Sequence, residues 1–308
     1  MGGRGGTISR VLDRRDIRIR DPFVLVDGGR YWLYGTTDAS CWEGPGVGFD
    51  AYVSDDLERW DGPHTVFRPG PGFWGRTNFW APEVHLHRGR YVMLASFTAP
   101  GRHRATHALV ADGPLGLYQP LATEPLTPPG WECLDGTLHL DDAGTPWLVF
   151  CREWLQVGDG EMCAVPLAAD LTAPAGEASV LFRASHAPWT AALVPGESLF
   201  ATDGPFMHRS ADGNLLLLWS STGREGYAMG LARSAGGLAG PWEHRDEPLV
   251  AGDGGHGMLF RDLAGRLLVT FHRPNVTPHE RPHWRPVVEA DGWLAMGGDP
   301  GGGGGDRR

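Results

Sequence analysis

Lysine is absent from this chain. All 27 basic residues are arginines, set against 37 acidic ones, for a net charge of −10 over 308 residues. With no basic stripe along the sequence, a nucleic-acid partner has nothing to hold. Cysteine is scarce: Cys41, Cys133, Cys151 and Cys163 stand in no metal-ligand spacing, which excludes a zinc module. Reduced thiols are the plain reading, with a Cys151–Cys163 bridge across neighbouring strands left open. No apolar run approaches the roughly 20 residues of a membrane helix. The start, MGGRGGTISRVLDRRD, lacks the apolar core of a signal peptide, so the expected location is cytoplasmic and no membrane partner is expected. Helical periodicity is missing as well, since no segment keeps it for three turns.

What is abundant is punctuation. The 46 glycines and 25 prolines fall between apolar segments, apart from those of the tail, which reads as many short strands joined by turns. Five segments share one outline, a Gly turn followed by an aromatic and aliphatic strand: VDGGRYWLYGTT, HRGRYVMLASF, DDAGTPWLVFCREW, ADGNLLLLWSS and LAGRLLVTFHRPN. Their spacing of roughly 50–70 residues suits a four-stranded sheet with variable loops. Five such units predict an all-β, five-bladed β-propeller, in preference to a pair of β-sandwiches, which would not repeat one outline five times. The blades are expected over residues 17–296, with 1–16 as an N-terminal extension and 297–308 as a Gly-rich flexible tail.

Propeller geometry brings the heads of the innermost strands together at the axis. Those heads read Arg20-Asp21-Pro22, Trp80-Ala81-Pro82-Glu83, Leu134-Asp135-Gly136, Asp203-Gly204-Pro205 and Gly255-His256-Gly257. Three blades thus offer an aspartate in what reads as one slot. Asp-Pro and Asp-Gly are ordinary turn dipeptides, and Asp27, Asp142 and Asp212 are read as that alone. The repeated slot is what separates Asp21, Asp135 and Asp203 from them.

The segments IRDPFVLVDGGRYWLYGTT, FWAPEVH, CLDGTLHLDDAGTPWLVF, TDGPFMHRSADGNLLLLWSS and GGHGMLF resemble glycoside hydrolase family 43, from about Ile17 to Trp293. The resemblance implies a five-bladed propeller of inverting enzymes acting on arabinofuranosides, xylosides and related sugars. It implies a general base at Asp21 and an acid-orienting aspartate at Asp135. The family's general acid is usually a glutamate in a Glu-Gly-Pro turn; that position is Asp203 here, one methylene shorter. Glu153 in CREWLQ is the alternative acid, and Glu132 in WECLDG a further one.

An inverting glycosidase needs a base to activate water on one face of the sugar and an acid on the other, with carboxyls about 6.5–9.5 Å apart. The acid must hold its proton near neutral pH, and burial with a second carboxylate nearby raises its pKa. Asp135 suits that second role, and Arg20 is placed to line the site. Thirteen tryptophans are available for stacking on sugar faces. Trp42 and Trp74 lie in loops and are the stronger candidates, Trp80 is a third, and Trp60 and Trp242 read as structural. His256 and Arg273 complete the substrate-binding set. By the same resemblance His256 is a candidate to hold a central calcium; no cofactor is otherwise required.

The partner is therefore an oligosaccharide. The expected activity is an exo-acting α-L-arabinofuranosidase or β-D-xylosidase. A β-galactofuranosidase or endo-arabinanase would also fit. Two readings of other classes remain: a retaining, fructan-cleaving propeller with Glu132 as acid, and a glycan-binding propeller without turnover.

Overall fold

A computed structural model describes residues 10–298. It is a five-bladed β-propeller, each blade an antiparallel sheet whose four inner strands pair with their neighbours in sequence order. The innermost strands are Arg20–Asp27, Thr77–His87, Cys133–Leu140, Asp203–Arg209 and Leu259–Arg261. The second strands are Arg30–Thr36, Arg90–Ala99, Pro146–Arg152, Leu215–Gly223 and Leu267–Arg273. Gly turns join the two, as the repeated outline predicts.

The boundary at residue 17 needs correction. Arg10–Asp13 pairs with Arg59–Phe67 and forms a fifth, outermost strand of blade one. Its four residues carry no alternating apolar pattern and lie before the first repeat, so no local pattern assigns them to a blade. The expectations for residues 1–9 and from residue 299 onward lie outside the described residues.

Apolar side chains fill the wedges between blades, because each sheet has an apolar face on both sides. One cluster centres on Phe49, Phe67, Phe73, Phe79 and Phe97; another packs Trp189 and Trp219 against Phe182. Among the described residues no shared strand joins blade five to blade one. Side chains close the ring there: Trp60 packs on Trp284 with centroids 5.7 Å apart, Arg14 lies over Trp284, and Arg20 pairs with Glu280 at 3.0 Å. Trp60 is fully buried and Trp242 packs on Phe182.

All four cysteines are free and buried. Cys151 pairs with Met162 and Cys163 with Phe150, so the two thiols are offset by one residue on adjacent strands. Side chains alternate between faces. Cys151 therefore enters the packing between blades three and four, and Cys163 that between blades two and three. A bridge between them is excluded.

At the hub the innermost strands of blades one to four begin with a bulge, and in blade five the Gly255–His272 bridge precedes the strand. The key residue of each has positive φ: Asp21 (53°), Ala81 (47°), Asp135 (56°), Gly204 (51°) and His256 (47°). Such a conformation strains a residue with a Cβ by about 1–3 kcal/mol. It persists because each of those N–H groups is held from the preceding blade. Ala81 N donates to Thr36 Oγ1 (2.8 Å), Asp135 N to Ser96 Oγ (2.8 Å), and His256 N to Ser220 Oγ (2.8 Å). Asp21 N donates to His272 Nδ1 (3.2 Å). The position matching Thr36, Ser96, Ser220 and His272 in blade three is Cys151, a poor acceptor, and there the carboxylate of Asp135 accepts from Gly204 N instead (3.1 Å).

Leaving one of these buried N–H groups without its partner costs roughly 1–3 kcal/mol. Ser96→Ala is expected to lower the unfolding free energy by about that much in urea denaturation, without changing the m-value.

Candidate active site

The bulge alignment shifts one residue. Asp21 and Asp135 occupy the left-handed slot, but Asp203 sits one position earlier, at the place of Arg20, Trp80, Leu134 and Gly255. Gly204 takes the slot in blade four, since a Cβ there would strike the His256 ring at 2.6 Å. The three aspartates therefore do not share one slot. They still converge: Asp21, Asp135, Asp203 and His256 line one hub pocket of about 240 Å³ with Arg20, Glu153 and Tyr227.

Asp21 is buried. Its Oδ2 accepts a 2.6 Å hydrogen bond from Thr36 Oγ1, and its Oδ1 lies 3.2 Å from His256 Nδ1. Burial alone would raise its pKa, but the charges of His256 and Arg20 outweigh this and bring it down to about 2. Asp135 experiences the reverse balance. Burial pushes it up to about 7; His256 opposes this, while Asp203 and Asp21 add to it. Asp203 is also raised by burial, against the pull of His256 and a hydrogen bond from the Tyr227 hydroxyl to Oδ2 (3.1 Å). The environment thus separates an ionised carboxylate, Asp21, from two buried ones, Asp135 and Asp203, that are both shifted toward the protonated form.

His256 is the counter-charge. Burial lowers its pKa, yet Asp21, Asp135 and Asp203 together raise it above the ordinary histidine value. Its Nδ1 lies between Asp21 and Asp135, 3.7 Å from the latter. His272, by contrast, is pushed down to about 4 by burial, and its Nδ1 accepts from Asp21 N while Nε2 faces Asn275 Oδ1 at 3.1 Å. That arrangement requires the neutral ring with its proton on Nε2.

One wall is aromatic. Trp42 and Trp80 meet edge to face at 5.1 Å, each with a guanidinium on its ring: Arg20 on Trp42 at 4.6 Å, Arg104 on Trp80 at 4.3 Å. Trp80 Nε1 donates to Cys41 O at 2.6 Å and Trp42 Nε1 to Thr277 Oγ1 at 2.9 Å. Glu153 lines the pocket but is ion-paired with Arg104. Burial raises its pKa overall, with the Arg104 charge opposing; it is the ion pair that occupies this carboxyl and argues against it as the proton donor.

Three expected residues lie elsewhere. Trp74 packs against Phe73 and Phe97 and donates to His107 Nδ1 (3.3 Å), so its loop folds onto the blade-two core and not the hub. Arg273 donates to Ala251 O and lies over Phe271, outside the pocket lining, because strand alternation turns its neighbour His272 inward instead. Glu132 is taken by His103 Nδ1 (2.6 Å) and Arg104 N (2.9 Å), also outside that lining. Tyr227, Trp154, Leu193 and Asn275 line the pocket, and nothing in the repeat outline marked them.

A larger cleft, about 720 Å³, runs between blades two and three past Trp131 and Pro128. It gathers no carboxylate pair of the kind found at the hub. Among the described residues no three His, Cys, Asp or Glu side chains are placed to hold a metal. His256 already has its Nδ1 on carboxylates, and calcium takes six to eight oxygens. These side chains do not form a calcium cage, and no step below passes through an ion. Among the described residues no helix is long and apolar enough to cross a membrane.

Carboxylates in opposed environments at the hub of a propeller, beside an aromatic wall, are the arrangement that hydrolysis of a glycosidic bond calls for. The chain belongs to Glycosyl hydrolases family 43, which it matches over residues 16–294. A solved structure described as an endo-arabinase from Bacteroides thetaiotaomicron VPI-5482 is 42% identical, covers 91% of this chain and 98% of that one, and superposes with a TM-score of 0.84. A curated extracellular exo-α-(1→5)-L-arabinofuranosidase of Cellvibrio japonicus (strain Ueda107) is 24% identical over 52% of this chain and 47% of its own length. An extracellular endo-α-(1→5)-L-arabinanase of Bacillus subtilis (strain 168) is 21% identical over 44% of each. The chain thus spans about half the length of the curated relatives it matches.

A raised carboxyl pKa has a fixed sign for stability. The contribution is complete below the unfolded value of 3.8 and is lost as pH rises through about 7. Asp135→Asn removes this titration. Relative to the wild type it is expected to gain stability between pH 4.5 and pH 7.5, which urea denaturation at these two values (about 0.7 unit above and 0.5 unit beyond the limits) measures.

Proposed function

We propose that the chain is an inverting, exo-acting hydrolase of α-L-arabinofuranosyl linkages. Asp21 is the general base, Asp203 the general acid, and Asp135 the residue that tunes and orients the acid. The observation that carries this reading is the split environment: Asp21 held ionised by His256 and Arg20, Asp135 and Asp203 both shifted toward the protonated form in the same pocket. Asp21 accepts a proton from water as the water oxygen attacks the anomeric carbon. Asp203 gives its proton to the departing glycosidic oxygen, so the bond breaks without releasing an alkoxide. Asp135 accepts from Gly204 N, which fixes the backbone adjoining Asp203, and its proximity discourages Asp203 from ionising early.

Support for arabinose as the sugar comes from the relatives, three of which carry arabinan-directed names. Support for exo action is the small pocket, walled by Trp42 and Trp80 and lined further by Trp154 and Leu193. A second reading, endo-arabinanase, is favoured by the description of the 42% identical structure.

The test combines a panel of nitrophenyl glycosides (α-L-arabinofuranoside, β-D-xyloside, β-D-galactofuranoside) with linear α-1,5-arabinan. Turnover of the arabinofuranoside, with free arabinose as the sole early product from arabinan, is expected. Asp21→Asn should lower kcat at least about 10²–10⁴-fold, the usual worth of a general base. Mid-length oligosaccharides as early products would replace exo by endo action, and turnover of the xyloside alone would overturn the arabinose assignment.

A further inference from the structure

Replacing the usual glutamate by Asp203 leaves the acid carboxyl one methylene closer to its backbone, so something must fix where that shorter side chain presents its proton. Its strand partner cannot. Asp203 lies opposite Ser220 on the neighbouring strand, but the Ser220 Oγ is turned to His256 N, from which it accepts at 2.8 Å, and makes no hydrogen bond to the Asp203 carboxyl. The group that does reach it is Tyr227, buried on the third strand of blade four, Gly226–Ser234, with its hydroxyl 3.1 Å from Asp203 Oδ2.

Tyr227 is itself held on two sides. Its ring stacks on His272 at 5.6 Å with planes 22° apart, and His272 Nδ1 accepts the backbone N–H of Asp21. Gly255 makes room for it: a Cβ there would come within 2.7 Å of the Tyr227 ring. One tyrosine of the hub pocket therefore ties the Asp203 carboxyl to the imidazole, buried behind the pocket, that holds the Asp21 backbone.

On the reading that Asp203 is the general acid, we infer that Tyr227 is its positioning residue: by donating to Oδ2, the phenol leaves the acid proton on Oδ1 and sets its direction toward the leaving oxygen. A carboxyl has one proton and two oxygens. When an O–H donates to one oxygen, the proton is favoured on the other, because Oδ2 cannot both accept along that line and hold the hydrogen there. Tyr227 gives up no proton in the reaction and touches no reacting atom; it acts through Asp203.

The experiment compares Tyr227→Phe with the wild type on two substrates. Nitrophenyl α-L-arabinofuranoside leaves with little acid help, whereas α-1,5-L-arabinobiose needs the proton. Tyr227→Phe is expected to lower kcat on arabinobiose about 10–100-fold while the nitrophenyl substrate changes less than about 3-fold, since only the acid step, worth roughly 10²–10⁴, is impaired. The hydroxyl's hydrogen bond favours the ionised form of Asp203, so losing it should also move the basic limb of kcat/KM to higher pH. Placing 3-fluorotyrosine at 227 keeps the ring and strengthens the donor, and should move that limb to lower pH. Asp203→Asn is run beside them. If Asp203→Asn spares the difference between substrates, Asp203 is not the acid and both readings fall. If Asp203→Asn is selective for arabinobiose but Tyr227→Phe slows both substrates alike with no shift of the limb, Tyr227 is structural and this inference alone is overturned.

Discussion

Everything at the hub hangs on five backbone N–H groups, each held by a side chain of the preceding blade. Four come from one structural position, Thr36, Ser96, Ser220 and His272, and the fifth is met by Asp135 in place of Cys151. This ring fixes the left-handed residues that open the innermost strands, and left-handed residues are what turn Asp21, Asp135 and His256 to the axis. Sheet pairing inside a blade cannot do this, since it holds strands to one another and not blades to blades. The substitution at Cys151 means that Asp135 has two duties: it belongs to the carboxylate cluster and also holds blade four.

Placing several buried carboxylates together would be prohibitive without compensation, because desolvation and mutual repulsion both oppose charge. The molecule divides the problem. Burial is the largest influence on all three. At Asp21 the charges of His256 and Arg20 and the Thr36 hydrogen bond outweigh it and keep the carboxylate ionised, while at Asp135 and Asp203 burial prevails and shifts both toward the protonated form. Arg104 and Glu153 neutralise one another at the aromatic wall, which keeps a further carboxylate from joining the cluster as an acid. His272, close by yet neutral, acts as an acceptor where His256 acts as a cation. Two histidines in contact with Asp21 thus take opposite states according to which neighbours face them.

Much of the fold was legible because its repeat is written in the turns: Gly28–Gly29, Gly89, Gly144, Gly213 and Gly265 each precede a second strand. The heads of the innermost strands followed from that register, which is why Asp21, Asp135, Asp203 and His256 were all identified. Finer placement was not legible. Asp203 stands one residue ahead of the slot expected for it, a shift visible only once Gly204 shows the positive φ. Trp74 lies in a loop, and nothing local told whether it would fold inward onto Phe97 or toward the hub. Arg273 and His272 are adjacent, and alternation along the strand decided between them. Tyr227 sits on a third strand, where the repeat outline carries no marker. Arg10–Asp13 joined blade one through pairing partners about fifty residues away, a contact no local pattern encodes.

The account's central claim is that Asp21 delivers water to one face of the sugar while a carboxyl across the pocket protonates the other side. The stereochemistry of the first product tests this most directly. Proton NMR at the onset of α-L-arabinofuranoside hydrolysis, before mutarotation, should show β-arabinofuranose as the initial product, the inversion that a single displacement by water demands. Initial release of the α-anomer would mean two displacements through a covalent intermediate, and would contradict Asp21 as a base acting on water.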